Sequence, residues 1–349
     1  MTTADIQPRA NATLDEVARV AGVSRATVSR VVNGSPKVSP EIRKSVERAI
    51  DRLGYVPNRA ARSLVTRRSE SIAVVITEPA PRLFSDPFFP RIIRGVSTAL
   101  AARDLQLVLL MPDDMDDEER TVRYLTAGHV DGVILVSLHG DDPLPRELAA
   151  RHIPIVVVGR PPLGAAVDHV DADNRGGALL ATRHLIDGGR RRIATISGPS
   201  DMNVGIDRLA GYRDALTQAG LDVDPDLIVA GDFTHDGGAE AMERLLAARP
   251  DLDAVFCAAD LMAAGALGVL HASGRSVPED VAVVGYDDAP IALTTRPPLT
   301  SIRQPVEEMG RELVHLLGES MERRDRVPRQ VILATELIRR ASSNGRSMP

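Results

Sequence analysis

Two groups of residues carry types and spacings that could do chemistry. The first is Arg25-Ala-Thr-Val-Ser-Arg30. On a helix read over 25–32, Val28, Val31 and Val32 fall on the inward side and leave Arg25, Ala26, Ser29 and Arg30 facing out. An arginine presented this way can donate to both acceptors on a guanine edge, whereas Ala26 can offer only a methyl contact. The second group is Phe84-Ser-Asp-Pro-Phe-Phe89, which holds three of the five phenylalanines in the chain. It follows the apolar run 72–76, read as a strand, and so sits at the strand-end position where open α/β sheets bind ligands. Phe84, Phe88 and Phe89 could form an aromatic platform for the apolar face of a sugar ring. Phe88 and Phe89 could equally start a helix and face the core. Ser137, His139, Arg160 and Asp260 stand at other strand ends and are further candidates for the same site.

Catalysis has no positive signal. There is no Gly-x-Gly-x-x-Gly after the first body strand, no phosphate-cradling P-loop and no Gly-x-Ser-x-Gly elbow. The eight histidines form no pair at metal-ligand spacing, and Cys257 is the single cysteine. No catalytic residue, metal or cofactor is therefore assigned.

The elements that must position these residues are legible. Thr13 is a reasonable N-cap for a helix over 14–21, with Glu16 completing a capping box. Gly22 ends that helix, Ser24 caps the second, and Asn33-Gly34 ends it. Two short helices joined by a glycine-containing turn make a helix-turn-helix. A third helix, about 40–53, offers Ile42, Val46, Ile50 and Leu53 to close a small core. From 71 onward, apolar runs at about 72–76, 106–111, 131–136 and 155–158, then at 192–196, 227–230, 254–257 and 281–285, alternate with amphipathic stretches. That alternation predicts an α/β body of two doubly wound parallel-sheet lobes, preceded by an all-α head. A ligand in such a body lies in the cleft between the lobes.

Charge and composition agree with this division. Residues 1–69 carry 13 Lys and Arg against 6 Asp and Glu, while the remainder carries 29 against 42. A basic head on an acidic body suits a nucleic-acid-binding module joined to a larger one. The chain of 349 residues has room for about two domains and a small third at about 150 residues each. Its apolar runs of about five residues are far short of the roughly 20 that a membrane span needs. Residues 1–10 lack the apolar core of a secretory signal, and one cysteine excludes an internal disulfide framework; both favour the cytoplasm.

The run Thr13-Leu-Asp-Glu-Val-Ala, then Ala-Gly-Val-Ser-Arg-Ala-Thr-Val-Ser-Arg-Val-Val-Asn-Gly34, then Leu-Gly-Tyr-Val-Pro-Asn-Arg-Ala-Ala-Arg-Ser-Leu64, resembles the LacI/GalR family of bacterial transcription regulators. The resemblance implies a homodimer that binds a palindromic operator in double-stranded DNA. It implies base or phosphate contacts from Thr13, Ser24, Arg25, Ala26, Thr27, Ser29, Arg30, Asn33 and Tyr55. It implies a hinge helix over 58–64, with Asn58 and Ala61 on the DNA and Leu64 wedged into the minor groove, where an apolar side chain kinks a base step. Val65 stands where some relatives carry a basic residue.

In the body, the resemblance implies a periplasmic-binding-protein-like architecture whose chain crosses between lobes near 160, 290 and 325. The organisation expected is a head at 1–57, hinge and linker at 58–70, and an effector-binding and dimerisation domain at 71–345. Its first lobe would hold 71–160 and 292–325, and its second 161–291 and 326–345. Arg208 opens the matched motif Arg-Leu-Ala-Gly-Tyr212 and would reach into the cleft. Asp287, in Gly285-Tyr-Asp-Asp288, would accept hydroxyl bonds, and Phe233 would stack on the ligand. Ala259 replaces an asparagine common in sugar-responsive members, and Met202 and Val204 stand where a purine-responsive relative has polar groups, which favours a sugar. The long segment 77–89 resembles actinobacterial regulators of cellulose and β-glucoside use, implying cellobiose or a short cello-oligosaccharide as effector. Regulation by another sugar, a ligand acting as co-repressor, a non-regulatory sugar-binding module and an enzyme remain as alternatives. With no leucine heptads at the C-terminus, a dimer is expected rather than a coiled-coil tetramer.

Overall fold

The computed structural model describes residues 12–32, 35, 37–55, 68–112, 115–162, 164–323 and 326–344. The chain divides into two compact units, 1–69 and 70–349.

The first unit holds α1 (Leu14–Ala21), α2 (Arg25–Val32) and α3 (Pro40–Leu53). Its local signals act as read. The Thr13 hydroxyl accepts from the Glu16 N–H at 3.3 Å, and the Glu16 carboxylate accepts from the Thr13 N–H at 2.7 Å. Gly22 ends α1 at φ +68°, a left-handed conformation that costs glycine little. The Ser24 hydroxyl accepts from the Thr27 N–H at 3.2 Å. Val17, Val28 and Val46 are fully buried and form the core with Ala18, Val31, Ala49 and Tyr55. Ile50 and Leu53 pack against that core as expected, whereas Ile42, in the first turn of α3, stays 38% exposed.

The second unit begins with β1 (Ser71–Ile76), α4 (Ala80–Ser85), α5 (Phe88–Ala101), β2 (Gln106–Leu110), α6 (Met115–Thr126), β3 (Gly132–Val136), α7 (Leu144–Ala150), β4 (Ile155–Val158) and β5 (Asp168–Ala172). It continues through α8 (Asn174–Asp187), β6 (Ile193–Ser197), α9 (Asn203–Gln218), β7 (Ile228–Ala230), α10 (His235–Ala248), β8 (Ala254–Cys257), α11 (Asp260–Ala272) and β9 (Ala282–Asp287). It ends with β10 (Thr300–Arg303), α12 (Val306–Glu322), β11 (Gln330–Leu333) and β12 (Glu336–Ile338). Two six-stranded sheets result, in the orders β2-β1-β3-β4-β5-β11 and β7-β6-β8-β9-β10-β12. Every pairing is parallel except β10 with β12. Helices cover both faces, as parallel sheets require. These are the two doubly wound lobes read from the alternation.

The lobe boundaries differ from those expected. β5 pairs with β4, so the first crossing comes after residue 172 and not near 160. β10 pairs with β9 in the second sheet, and α12 then returns to the first lobe, so the second crossing follows 303 and not 290. β11 pairs with β5 and β12 with β10, placing the third between 333 and 336 and not near 325. β5 and β10 hide from an apolar-run reading because Asp168, Asp171, Thr300 and Ser301 are buried polar positions within them. Arg326 donates to Asp168 at 2.8 Å, and Thr300 donates to the Arg340 carbonyl at 3.0 Å.

Helices α8 and α9 pack closely because Gly211 has no side chain. A Cβ there would overlap the Arg175 carbonyl oxygen and crowd Ala178. Gly211→Ala would gain up to about 1 kcal/mol in helix propensity but forces the helices apart, which costs about 1–3 kcal/mol. We therefore expect a net loss of stability in urea unfolding; a stabilised variant would contradict this packing.

Candidate functional site

The carboxyl ends of both sheets face an open cleft. Seven of the ten effector candidates line it: Phe88, Phe89, Ser137, Arg160, Arg208, Phe233 and Asp287.

Arg208 projects from α9 and is 4% exposed. Its Nε donates to Asn174 Oδ1 at 2.9 Å and a terminal nitrogen donates to the Ala258 carbonyl at 2.5 Å. The guanidinium lies over the Tyr286 ring, 3.7 Å from its centroid. These contacts fix the plane of a group that binds oxygens directionally. Asp287 Oδ1 lies 3.7 Å from Arg208 and accepts from the Gln304 amide at 2.5 Å. Burial pushes the Asp287 carboxyl up to about 7 against the pull of Arg208. Burial also raises Asp171 to about 6, although the Ala172 N–H bonds it, and the Asn174 amide donates to it at 2.8 Å. One chain of bonds thus runs from Arg208 through Asn174 to Asp171. Fixed donors and acceptors of this kind suit vicinal hydroxyls, and bonds involving a charged group are the stronger ones.

The neighbouring acids have other tasks. Asp288 is held by Arg303 at 2.7 Å and Arg340 at 2.5 Å. Asp260 does not line the cleft. It is fully buried in the first turn of α11, accepts from the Ala289 N–H at 2.7 Å and the Ser301 hydroxyl at 2.6 Å, and so anchors the loop that follows Asp287.

Phe84 is also misplaced by the sequence reading. The segment after β1 contains the short helix α4, and two residues of a helix are about 200° apart. With Arg82 on the cleft, Phe84 points away, 71% exposed, beside Leu83, Ile93 and Leu109. Phe88 and Phe89 form an edge-to-face pair with centroids 5.5 Å apart. Phe89 is almost fully buried and belongs to the first-lobe core as well as to the cleft wall. Phe233 is buried in the second lobe, with the Arg82 guanidinium 5.2 Å from its ring centroid.

Sequence reasoning missed Arg82, Asp86, Asp171, Asn174, Asn203 and Gln304, all of which line the cleft. The polar run Asp171-Ala-Asp-Asn174 was the available signal, once β5 is recognised as a strand. Backbone strain marks the same place. Ser137, Phe233 and Asp287 have φ of +64°, +66° and +109°, a region costing non-glycine residues about 1–3 kcal/mol and typical of functional sites. Ser137 and His139 both bond the buried carboxylate of Glu78, which also accepts from Arg82 at 2.8 Å. Arg160, at the rim, pairs with Asp207 at 2.8 Å and accepts from Asn203 on its carbonyl.

In the head, Arg25, Ala26 and Arg30 are exposed on α2, while Ser29 and Thr27 are half-buried. Arg25 lies 3.7 Å from Asp15, with both side chains well exposed, a pairing too weak to hold it from DNA. Thr13 and Ser24 serve as caps, and Tyr55 is 9% exposed within the core. Asn33, Asn58, Ala61 and Leu64 lie outside the described residues. Among the described residues, no helix is long and apolar enough to cross a membrane, and no cluster of three or more His, Cys, Asp or Glu could hold a metal.

Residues 13–58 match the family of bacterial regulatory proteins named for lacI, and residues 182–343 match the periplasmic binding protein-like domain. The chain is 52% identical to the HTH-type transcriptional regulator CelR of Thermobifida fusca over 340 residues, 97% of this chain and 100% of that protein. It is 38% identical to the ribose operon repressor of Escherichia coli over 309 residues, 88% and 92% of the two chains. Among solved structures it is similar to the transcriptional regulator CelR–cellobiose complex, with 50% identity, a TM-score of 0.76, and 95% and 100% of the chains covered. It is also similar to the lac repressor dimer bound to operator and the anti-inducer ONPF, with 28% identity, a TM-score of 0.83, and 96% and 99% covered.

Proposed function

The chain belongs to the lacI family of bacterial regulatory proteins, and from that premise we propose that it is a homodimeric repressor whose operator affinity is set by cellobiose or a short cello-oligosaccharide. The observation that carries the effector reading is the buried Arg208 beside Asp287 on the cleft, a fixed guanidinium and a carboxylate available to sugar hydroxyls. Phe88, Phe89 and Phe233 add apolar surface for sugar rings, and the cellobiose complex of the CelR relative supports the choice of sugar. The exposed Arg25 and Arg30 on α2 supply the base-reading face, with palindromic DNA, in the cytoplasm, as the partner. The organisation at 1–57, 58–70 and 71–345 serves this reading, with Leu64 as the minor-groove wedge. The sugar changes regulation only through different affinities for the DNA-binding and released arrangements.

The test is fluorescence anisotropy on DNA from upstream of the chain's own gene and of neighbouring sugar-uptake genes. Salt is kept near physiological, because phosphate binding dominates at low salt. Tight binding released by cellobiose or cellotriose is the expected result. Tight binding indifferent to both, and released by another sugar, would overturn the effector assignment.

A further inference from the structure

His139 bonds a carboxylate on each lobe. Its Nε2 lies 3.0 Å from Glu78 Oε1, on the loop after β1, and its Nδ1 lies 2.8 Å from Asp201 Oδ2, on the loop after β6. An ionised carboxylate only accepts hydrogen bonds, so both ring nitrogens must donate and the ring must be an imidazolium. A backbone bond runs alongside: the Gly140 N–H donates to the Asp201 carbonyl at 2.7 Å. The bridge is continuous with the cleft on both sides. Glu78 also accepts from Ser137 and Arg82, and Met202 and Asn203 follow Asp201; these four residues all line the cleft.

We propose that His139 is a positioning residue for the effector: as an imidazolium it ties the two cleft rims together, so that proton binding at His139 and sugar binding between the lobes favour each other. The proposal rests on the effector reading above and adds its regulation by pH.

The charges facing His139 are Glu78 and Asp201, with Arg82 beyond Glu78 and Asp142 further along its own loop. The Glu78 bond is the largest cause holding its proton above the ordinary histidine range; burial opposes this and Asp201 adds to it. Burial would raise Glu78, but the bonds from His139 and Ser137 and the charge of Arg82 outweigh it and hold that carboxyl below its usual range. Asp201 is held low mainly by its bond to His139. The sign follows: the bridge is intact at low pH and is lost as pH rises through the elevated value of His139.

The experiment is calorimetric titration of the full-length protein with cellobiose from about pH 6 to about pH 9, for the wild type and His139→Gln. Wild-type affinity is expected to fall about tenfold across that range, a coupling of ordinary size. The variant is expected to start weaker and to follow a flatter profile. Asp171 and Asp287 titrate in both proteins, so the difference between the profiles isolates His139. Parallel profiles would overturn the proposal. A second readout needs no sugar: NMR titration of the His139 ring, with and without Asp201→Asn. The ring is expected to titrate above the ordinary range and to move down in the variant; an ordinary value unmoved by Asp201→Asn would overturn the bridge. If the wild type binds no cellobiose at any pH, the effector reading fails, and the NMR result alone decides whether the interlobe bridge stands.

Discussion

Arg208→Met is expected to bind operator with near wild-type affinity and to lose at least about 100-fold in affinity for cellobiose, leaving a repressor that no longer responds. Charge-assisted hydrogen bonds contribute about 1.5–3 kcal/mol each, and about 1.4 kcal/mol corresponds to tenfold. Loss of two such bonds to sugar oxygens therefore reaches the stated size. The substitution acts a second time through Asp287. Arg208 is the strongest of the groups that oppose burial of that carboxyl, ahead of Gln304 and Arg91, so its loss moves the group further up from about 7 and favours a protonated acid facing the ligand at neutral pH. Methionine keeps apolar contact with the Tyr286 ring, which limits the structural effect of losing the bonds to Asn174 and the Ala258 carbonyl. Calorimetric titration with cellobiose, beside a thermal unfolding curve, checks the result. Unchanged sugar affinity would remove Arg208 from the effector site.

Arg25→Ala is expected to weaken operator binding by about 100-fold or more, with sugar affinity unchanged. A bidentate arginine–guanine contact discriminates by about 1–3 kcal/mol, and a dimer on a palindrome loses it twice. Arg30→Ala should act in the same direction. The informative comparison is with random-sequence DNA at the same salt. Phosphate contacts carry no sequence information, so a lost phosphate contact weakens operator and random DNA alike. A lost base contact weakens the operator selectively. Parallel losses in anisotropy measurements would reassign Arg25 from base reading to the phosphate backbone.

What the sequence by itself determined is local or carried by contiguous motifs. The head was legible through Thr13 and Glu16, Gly22, Ser24 and the spacing of Val28 and Val31, because a cap bonds residues three apart and helical periodicity shows within two turns. The alternation of runs along the body gave away two parallel sheets for the same reason. Arg208 and Asp287 were found inside short motifs at a helix start and a strand end. Tertiary structure decided the rest of the cleft. Arg82 replaces Phe84 on its wall because the phase of α4 turns one inward and the other out. Asn174 meets Arg208 across 34 positions and Gln304 meets Asp287 across 17, because β5 and β10 carry Asn174 and Gln304 to strand ends that line the cleft. Asp260 leaves the cleft because Ala289 and Ser301 satisfy it within the second lobe. Asn174, Gln304 and Asp260 are polar and buried, and each bonds a group on another element. No local pattern of apolar residues records such a pairing, because the hydrogen bond that makes burial tolerable exists only once the lobes have folded.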